Sequence, residues 1–426
     1  MLYRILWLLY FGLLVPLASA QFASDATHVA LGWNELGMHC MNGDFSSLCI
    51  LPPFNTLMVQ VVQRGDPPAL VSSGVNLTYR FPENSKSSTK VNFWQYANQL
   101  FGVTLANDVG LTGKGITGTL DWNASLGLWE APGTPLTPFT DAAPTTEQPY
   151  QFAEVTVHNA LGSQILDQTT FVAPVSVEMH CDKCHSGGGR SVYVNILRKH
   201  DEEEGTNLQN SQPVLCASCH SDNALGAAGK PGIPSLSQAI HSKHAEEASQ
   251  IGCYDCHPGQ QTQCLRDAMF KAGKTCTDCH GSISNVGRTI RQGRRPWLDE
   301  PECADCHDAE HSENTNTLYR FSKGHGGLYC TACHNSPHAI LPTVQPRDAV
   351  QMLRVQGTAD YAKQCMICHT SQPLGPGPHN IVTSYRIARQ LKGFGGLSTE
   401  ELTRADYNQD GKLDVADVVH QVNRGL

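Results

Sequence analysis

Beyond its first twenty residues the chain has no apolar run long enough to cross a bilayer as a helix. It has no basic stripe either. Its 30 Lys and Arg are outnumbered by 39 Asp and Glu, for a formal net charge of −9, which argues against nucleic-acid binding. Basic proteins, cations or metal oxides are the partners such a charge attracts at low salt. Methionine is scarce, with eight residues in all. Residues 21–175 contain only two cysteines, Cys40 and Cys49, and residues 176–385 have few long periodic segments.

The first twenty residues read as a secretory signal. Arg4 is the charged start, residues 5–17 are the apolar stretch, and Ala18-Ser19-Ala20 fits the small-x-small cleavage rule. Cleavage is expected to leave Gln21 first, with no membrane span afterwards. No cysteine follows that site, so a bacterial lipid anchor is not indicated.

Against this background one pattern is abundant. Cys-x-x-Cys-His occurs seven times and uses 14 of the 17 cysteines. The cysteine pairs are Cys181/Cys184, Cys216/Cys219, Cys253/Cys256, Cys276/Cys279, Cys303/Cys306, Cys330/Cys333 and Cys365/Cys368. The histidines that close them are His185, His220, His257, His280, His307, His334 and His369. This is the attachment pattern of c-type haem. Two sulfurs add to the two vinyl groups on one porphyrin edge, and the next residue becomes the proximal iron ligand. Structural zinc needs four ligands, and a redox dithiol needs no histidine. Neither explains the His after every pair. Seven covalently bound haems are therefore expected, with too little chain between motifs to wrap each macrocycle in its own core. Neighbouring rings should nearly touch.

Each iron then needs a sixth ligand or stays open. The spare histidines favour bis-His ligation over Met/His, which implies low potentials. The distal candidates are His39, His200, His241, His244, His325, His338 and His379. His241 and His244 would share one helical face. Cross-ligation between neighbouring haems would staple the stack. Cys40 and Cys49 suit a local disulfide or two buried thiols, and Cys264 is left as a free thiol, a partner for another chain or an additional haem contact.

Three regions follow the leader of residues 1–20. Residues 21–175 are β-rich, with strand-like runs at 57–62, 75–81, 152–157 and 169–175, and a sandwich-like fold is expected. Residues 131–149 read as a loop. Residues 176–390 are the haem-packed cytochrome domain, irregular with short helices near 236–248 and 348–355. Residues 396–426 contain an EF-hand or dockerin-like calcium loop: Asp406, Asn408, Asp410, the Lys412 carbonyl and Asp417 are the expected ligands of one Ca²⁺, and Gly411 makes the bend.

Several segments resemble the multihaem c-type cytochromes of bacteria that exchange electrons outside the cell. They include Asn195-Ile-Leu-Arg-Lys-His200-Asp, Ala239-Ile-His241-Ser-Lys-His244-Ala, Arg295-Pro-Trp-Leu-Asp-Glu-Pro301, Gly324-His325-Gly-Gly-Leu-Tyr-Cys330 and Cys333-His334-Asn-Ser-Pro-His338-Ala. Leu31-Gly-Trp-Asn-Glu-Leu-Gly-Met-His39-Cys40 looks like the β module that precedes such regions. The resemblance implies periplasmic or cell-surface electron transfer with a redox partner protein or an extracellular acceptor. The alternatives are a reductase of nitrite, hydroxylamine or tetrathionate with one open haem, and a self-associating filament subunit. No Cys-x-x-Cys-Lys variant is present to favour the nitrite reductase.

Overall fold

The computed structural model describes residues 26–308, 311–373 and 384–424. The expected leader and His379 lie outside them.

Ten strands occupy the front half: β1 (His28–Asn34), β2 (His39–Cys40), β3 (Leu48–Cys49), β4 (Asn55–Gln63), β5 (Ala69–Leu70), β6 (Val75–Arg80), β7 (Thr117–Asn123), β8 (Leu128–Thr134), β9 (Tyr150–Asn159) and β10 (Ile165–Ser176). Nine of them form one sheet in the order β1-β4-β8-β7-β6-β9-β10-β2, with β5 on β4. The register of β1 on β4 runs from His28 opposite Gln63 to Asn34 opposite Leu57. The sheet curls until its far strands meet. The Ala30 N–H donates to Asp167 Oδ2 at 2.7 Å, and the Phe171 ring lies so close to Gly32 that a Cβ there would sit 2.2 Å from it.

The sandwich expectation is thus corrected to a half-barrel of one curled sheet. Alternating residues decide which side chains point inward, but stacked sheets and a curled sheet use the same alternation. The deciding contacts, Asp167 and Phe171 against β1, are remote in sequence.

Strands β1 and β4 are buried on both faces, which is why residues 57–62 are apolar almost throughout. Ala30, Leu57, Val59 and Val61 face the barrel interior with Phe93 and Val155. Val29, Leu31, Trp33, Met58 and Val62 face outward and pack on Tyr329, Leu341, Met352, Val355 and Ile367. The outer wall of the sheet is therefore the floor of the back half.

Polar contacts lock the two halves. Arg266 and Asp348 are each 1% exposed and form a two-pronged ion pair at 2.7 and 3.0 Å. Arg266 also donates to the Gly37 carbonyl at 2.8 Å. Gly37 has φ of +73°, and a Cβ there would meet the Pro337 carbonyl at 1.9 Å, so only glycine fits. In β11 (Val214–Leu215), the back half adds a short parallel partner to β3.

The back half is poor in long helices. Its longest, Val192–Glu204, starts at Ser191, whose side chain accepts the Val194 N–H, and stops at Gly205 in the left-handed region. Helix Leu236–His244 is capped by Ser235 and helix Ile283–Arg291 by Ser282. These two cross closely because Gly287 has no side chain: a Cβ would lie 3.2 Å from the Ser242 backbone.

Two expectations follow. Asp348→Ala strands a buried guanidinium and should lower stability by roughly 3–5 kcal/mol, read from the denaturant midpoint. Glu178 is buried, which pushes its carboxyl up, yet N–H donors from the turn after His257 outweigh this and hold it at about 2. Those donors include Gln260, Gln261 and Thr262 at 2.9, 3.0 and 2.7 Å. A depressed carboxyl contributes stability at pH values above its ordinary 4.5, and the contribution fades as pH falls toward 2. Glu178→Gln should therefore flatten the acid limb of the stability profile, measured by unfolding between pH 6 and pH 2 (~four units).

Candidate haem sites

Five proximal histidines face a second histidine in the folded chain. His185 faces His244, His200 faces His220, and His241 faces His257, each with ring centres 6.2 Å apart. His280 faces His338 at 6.1 Å and His325 faces His369 at 6.2 Å. The ring planes differ: 75° and 85° in the first two pairs, 27°, 53° and 38° in the others.

Direct ring stacking would be closer, and His334 stacked on Tyr361 at 5.0 Å shows it. A metal between two imidazoles explains the wider value. Two metal–nitrogen bonds of about 2.0 Å, plus about 1.1 Å from each nitrogen to its ring centre, give roughly 6.2 Å.

The ring orientations are fixed from behind. His241 Nδ1 donates to the Ser237 carbonyl, His244 Nδ1 to the Ile240 carbonyl and His220 Nδ1 to the Pro234 carbonyl, all at 2.8 Å. His200 Nδ1 donates to Thr206 Oγ1 at 2.9 Å, and His338 Nδ1 lies 3.9 Å from Cys264 Sγ. His369 Nδ1 lies 3.1 Å from Asp66 Oδ1. With Nδ1 engaged, each ring keeps Nε2 for a second partner. Burial lowers His185, His241, His257, His280, His325 and His338, which favours the neutral form a metal ligand needs. It drives both His257 and His338 down to about 4, helped by neighbouring histidines.

His338 reaches His280 through a tight turn. Asn335 and His338 have φ of +74° and +62°, a region that side chains with a Cβ seldom occupy. Helix Leu236–His244 supplies both His241 and His244, one turn apart, to two different motifs.

The cysteine pairs succeed one another in a row. Burial raises Cys256 to about 11, and Cys181 and Cys184 add to the rise. In the same way Cys253 acts on Cys276, Cys306 on Cys279, Cys330 on Cys303, and Cys368 on Cys333. The second motif departs from this row of sulfurs. Its Cys216 is acted on by Cys219 of the same motif, and the link to the first motif runs through a helix instead. Helix Val192–Glu204 carries His200, and its Asn195 donates to the His185 carbonyl at 2.9 Å. The order is thus second, first, third, then fourth to seventh. Raised thiols such as Cys216, Cys303 and Cys333, each pushed to about 12 chiefly by burial, are unsuited to dithiol redox chemistry, which needs a ready thiolate.

The interior also fits a large apolar group. Among the described residues from 180 to 320, only Leu197, Ala217, Leu236 and Ile290 are buried hydrophobics. Such a stretch does not hold itself together by apolar burial. Among the described residues no three or more His, Cys, Asp or Glu gather as a metal site; the histidines meet in twos.

Residues 294–370, with the motifs at Cys303, Cys330 and Cys365, match the family model described as Cytochrome c7 and related cytochrome c. The region is of the multihaem cytochrome c type. The match implies covalently bound haem c and electron transfer. Neither curated proteins nor solved structures give a match. No helix among the described residues is long and apolar enough to cross a membrane.

Other expected site residues sit elsewhere. His39 is buried, and both burial and Arg320 lower it to about 3; its Nε2 faces Glu35 at 4.0 Å and not a proximal imidazole. His307 is exposed. Cys219 is half-buried, and its sulfur takes a hydrogen bond from Ser218 Oγ at 3.8 Å. Its backbone is held by the Lys230 N–H, which donates to the Cys219 carbonyl at 2.8 Å. Cys40 and Cys49 are not joined by a disulfide; Cys49 is a buried thiol and Cys40 a half-buried one. Cys264 is among the groups acting on Cys40, and Cys216 among those acting on Cys49. Sequence reading missed Thr206 and Asp66 behind the rings, since nothing in a motif marks a residue that only touches a ligand's far nitrogen.

In the tail, helices Thr399–Arg404 and Val415–Arg424 flank the acidic loop. Asp406 accepts the Asp410 and Gly411 N–H groups at 3.1 and 2.8 Å, and buried Asp417 accepts those of Asn408 and Asp414 at 3.3 and 2.9 Å. Asp410 accepts the Lys412 N–H at 2.9 Å.

Helix crossing offers a test of the shared ligand helix. Gly287→Val should push helix Leu236–His244 outward and displace His241 and His244 together. Thermal unfolding should then fall by several degrees, on the order of 1–3 kcal/mol of overpacking.

Proposed function

We propose that the protein is an exported electron-transfer cytochrome in which seven haems, one per Cys-x-x-Cys-His motif, form a continuous row with bis-histidine ligation. The observation that carries this reading is the set of five opposed imidazole pairs at 6.1–6.2 Å. The paired cysteines tether each haem, and His185, His220, His257, His280 and His369 ligate it from the motif side. His244, His200, His241, His338 and His325 ligate from the other side. Bound haem supplies a one-electron ferric/ferrous couple. The chain's own part is to fix both imidazoles and bring successive motifs side by side.

The formal charge of −9, made more negative by haem propionates, supports a basic redox partner or an extracellular cation or metal-oxide acceptor. Periplasmic or surface location is supported by the leader pattern and by the usual export of cytochrome c7-type proteins. The tail is read as a calcium loop on its ligand pattern and the flanking helices.

The test is direct. Protein from a host that installs haem should exceed the polypeptide mass by seven haems, and its EPR spectrum should be low-spin throughout. His338→Ala should convert one component, about one seventh of the signal, to high-spin. A colourless product of bare mass would reject the reading. Adding Ca²⁺ to chelator-treated protein should protect the 396–426 segment from proteolysis, and Asp406→Ala should abolish that protection.

A further inference from the structure

We propose that Asp66 is a positioning residue for the seventh haem: a carboxylate carried by the β domain that fixes His369 and lowers that haem's potential. The inference rests on the haem reading above.

The groups behind the opposed imidazoles are not alike. Carbonyl oxygens serve His220, His241 and His244, a hydroxyl serves His200 and a thiol sulfur lies behind His338. Among the described members of the five pairs, only His369 has a carboxylate there, with Asp66 Oδ1 3.1 Å from its Nδ1. A carboxylate attracts the Nδ1 proton more strongly than a neutral oxygen. It thereby raises the basicity of Nε2 and fixes the ring's orientation. A more basic axial imidazole favours ferric over ferrous iron.

The contact is built from both sides. Thr370 Oγ1 donates to the other oxygen, Asp66 Oδ2, at 2.6 Å. The Gly65 N–H donates to the Cys368 carbonyl at 3.3 Å. Arg64 donates from Nη2 to the Met366 carbonyl at 3.0 Å and from Nη1 to the Ala26 carbonyl at 2.9 Å. The turn after β4 is thus clamped onto the seventh motif along residues 366–370. The Arg64 cation opposes the carboxylate's effect on the haem, but it is common to wild type and variant. Asp66 is 35% exposed, so solvent weakens its field without removing the hydrogen bond.

The experiment is a potentiometric titration of the loaded wild type and Asp66→Asn, followed optically and by EPR. Six components should superimpose. One should titrate higher, its ferrous-to-ferric ratio at a fixed potential raised about tenfold, which for a one-electron couple is about 59 mV. The low-spin EPR feature of that component should shift with it. Asp66→Glu keeps the charge and should return the component toward wild type. Protein carrying seven haems whose components are all unchanged in Asp66→Asn overturns this inference alone. So does a Glu variant displaced as far as the Asn variant. A preparation without covalent haem overturns the haem reading and this inference with it.

Discussion

An imidazole that donates from Nδ1 to a protein acceptor has only Nε2 left to give. In this chain such rings meet others head to head, always 6.1–6.2 Å between centres. Contact packing has no reason to choose one separation five times over, at interplanar angles from 27° to 85°. A shared metal does, because bond lengths set the distance while rotation about the bond axis stays open. The helices and turns of the back half can be read as devices for presenting these rings. Ser235 starts a nine-residue helix that ends on His244, Gly287 lets a second helix brace it, and the left-handed turn at Asn335 and His338 swings a ring over to the fourth motif.

The β domain is more than an appendage. Trp33, Leu31 and Met58 on its outer wall bury against Tyr329, Leu341 and Met352, and the Gln351 side-chain oxygen accepts the Gly32 N–H at 2.7 Å. The Leu31–Cys40 segment, with Gly37 under Pro337 and its carbonyl on Arg266, fits the sixth motif's turn. At the other end of the same wall the turn after β4 meets the seventh motif. One face of a curled sheet thus fixes the positions of the last two attachment sites relative to each other.

Much of this was legible in the residues, for different reasons. Haem attachment is a local pattern, so seven motifs announce themselves, and the family match covers three of them. The β character of the front half follows from alternation and turn residues. Its curled form does not, because Asp167 and Phe171 reach β1 from the far end of the domain. Spare histidines could be counted but not partnered: His185 meets His244, while His200, nearer in sequence, meets His220. His39 looked able to reach a haem, yet burial beside Glu35 and Arg320 gives it a different set of neighbours. A fixed spacing from its own motif would have been needed to assign each distal ring, and no such spacing exists.

The pairings themselves constrain how the back half holds together. The His185–His244 link spans the whole of the His200–His220 link, and His241–His257 begins inside the first and ends beyond it. Such overlapping closures fix several segments at once, and each costs loop entropy that grows only slowly with length. Against that cost the stretch from 180 to 320 offers four buried hydrophobic side chains among its described residues. Backbone hydrogen bonds and exposed ion pairs offset little of it. The favourable term has to come from groups that the rings and cysteines gather between them, and broad apolar macrocycles bonded at both faces and one edge meet that need. On the proposed haem reading, covalent attachment and dual ligation would be requirements of folding as well as of electron transfer: the same contacts that bring the motifs within reach of one another would also supply the missing core.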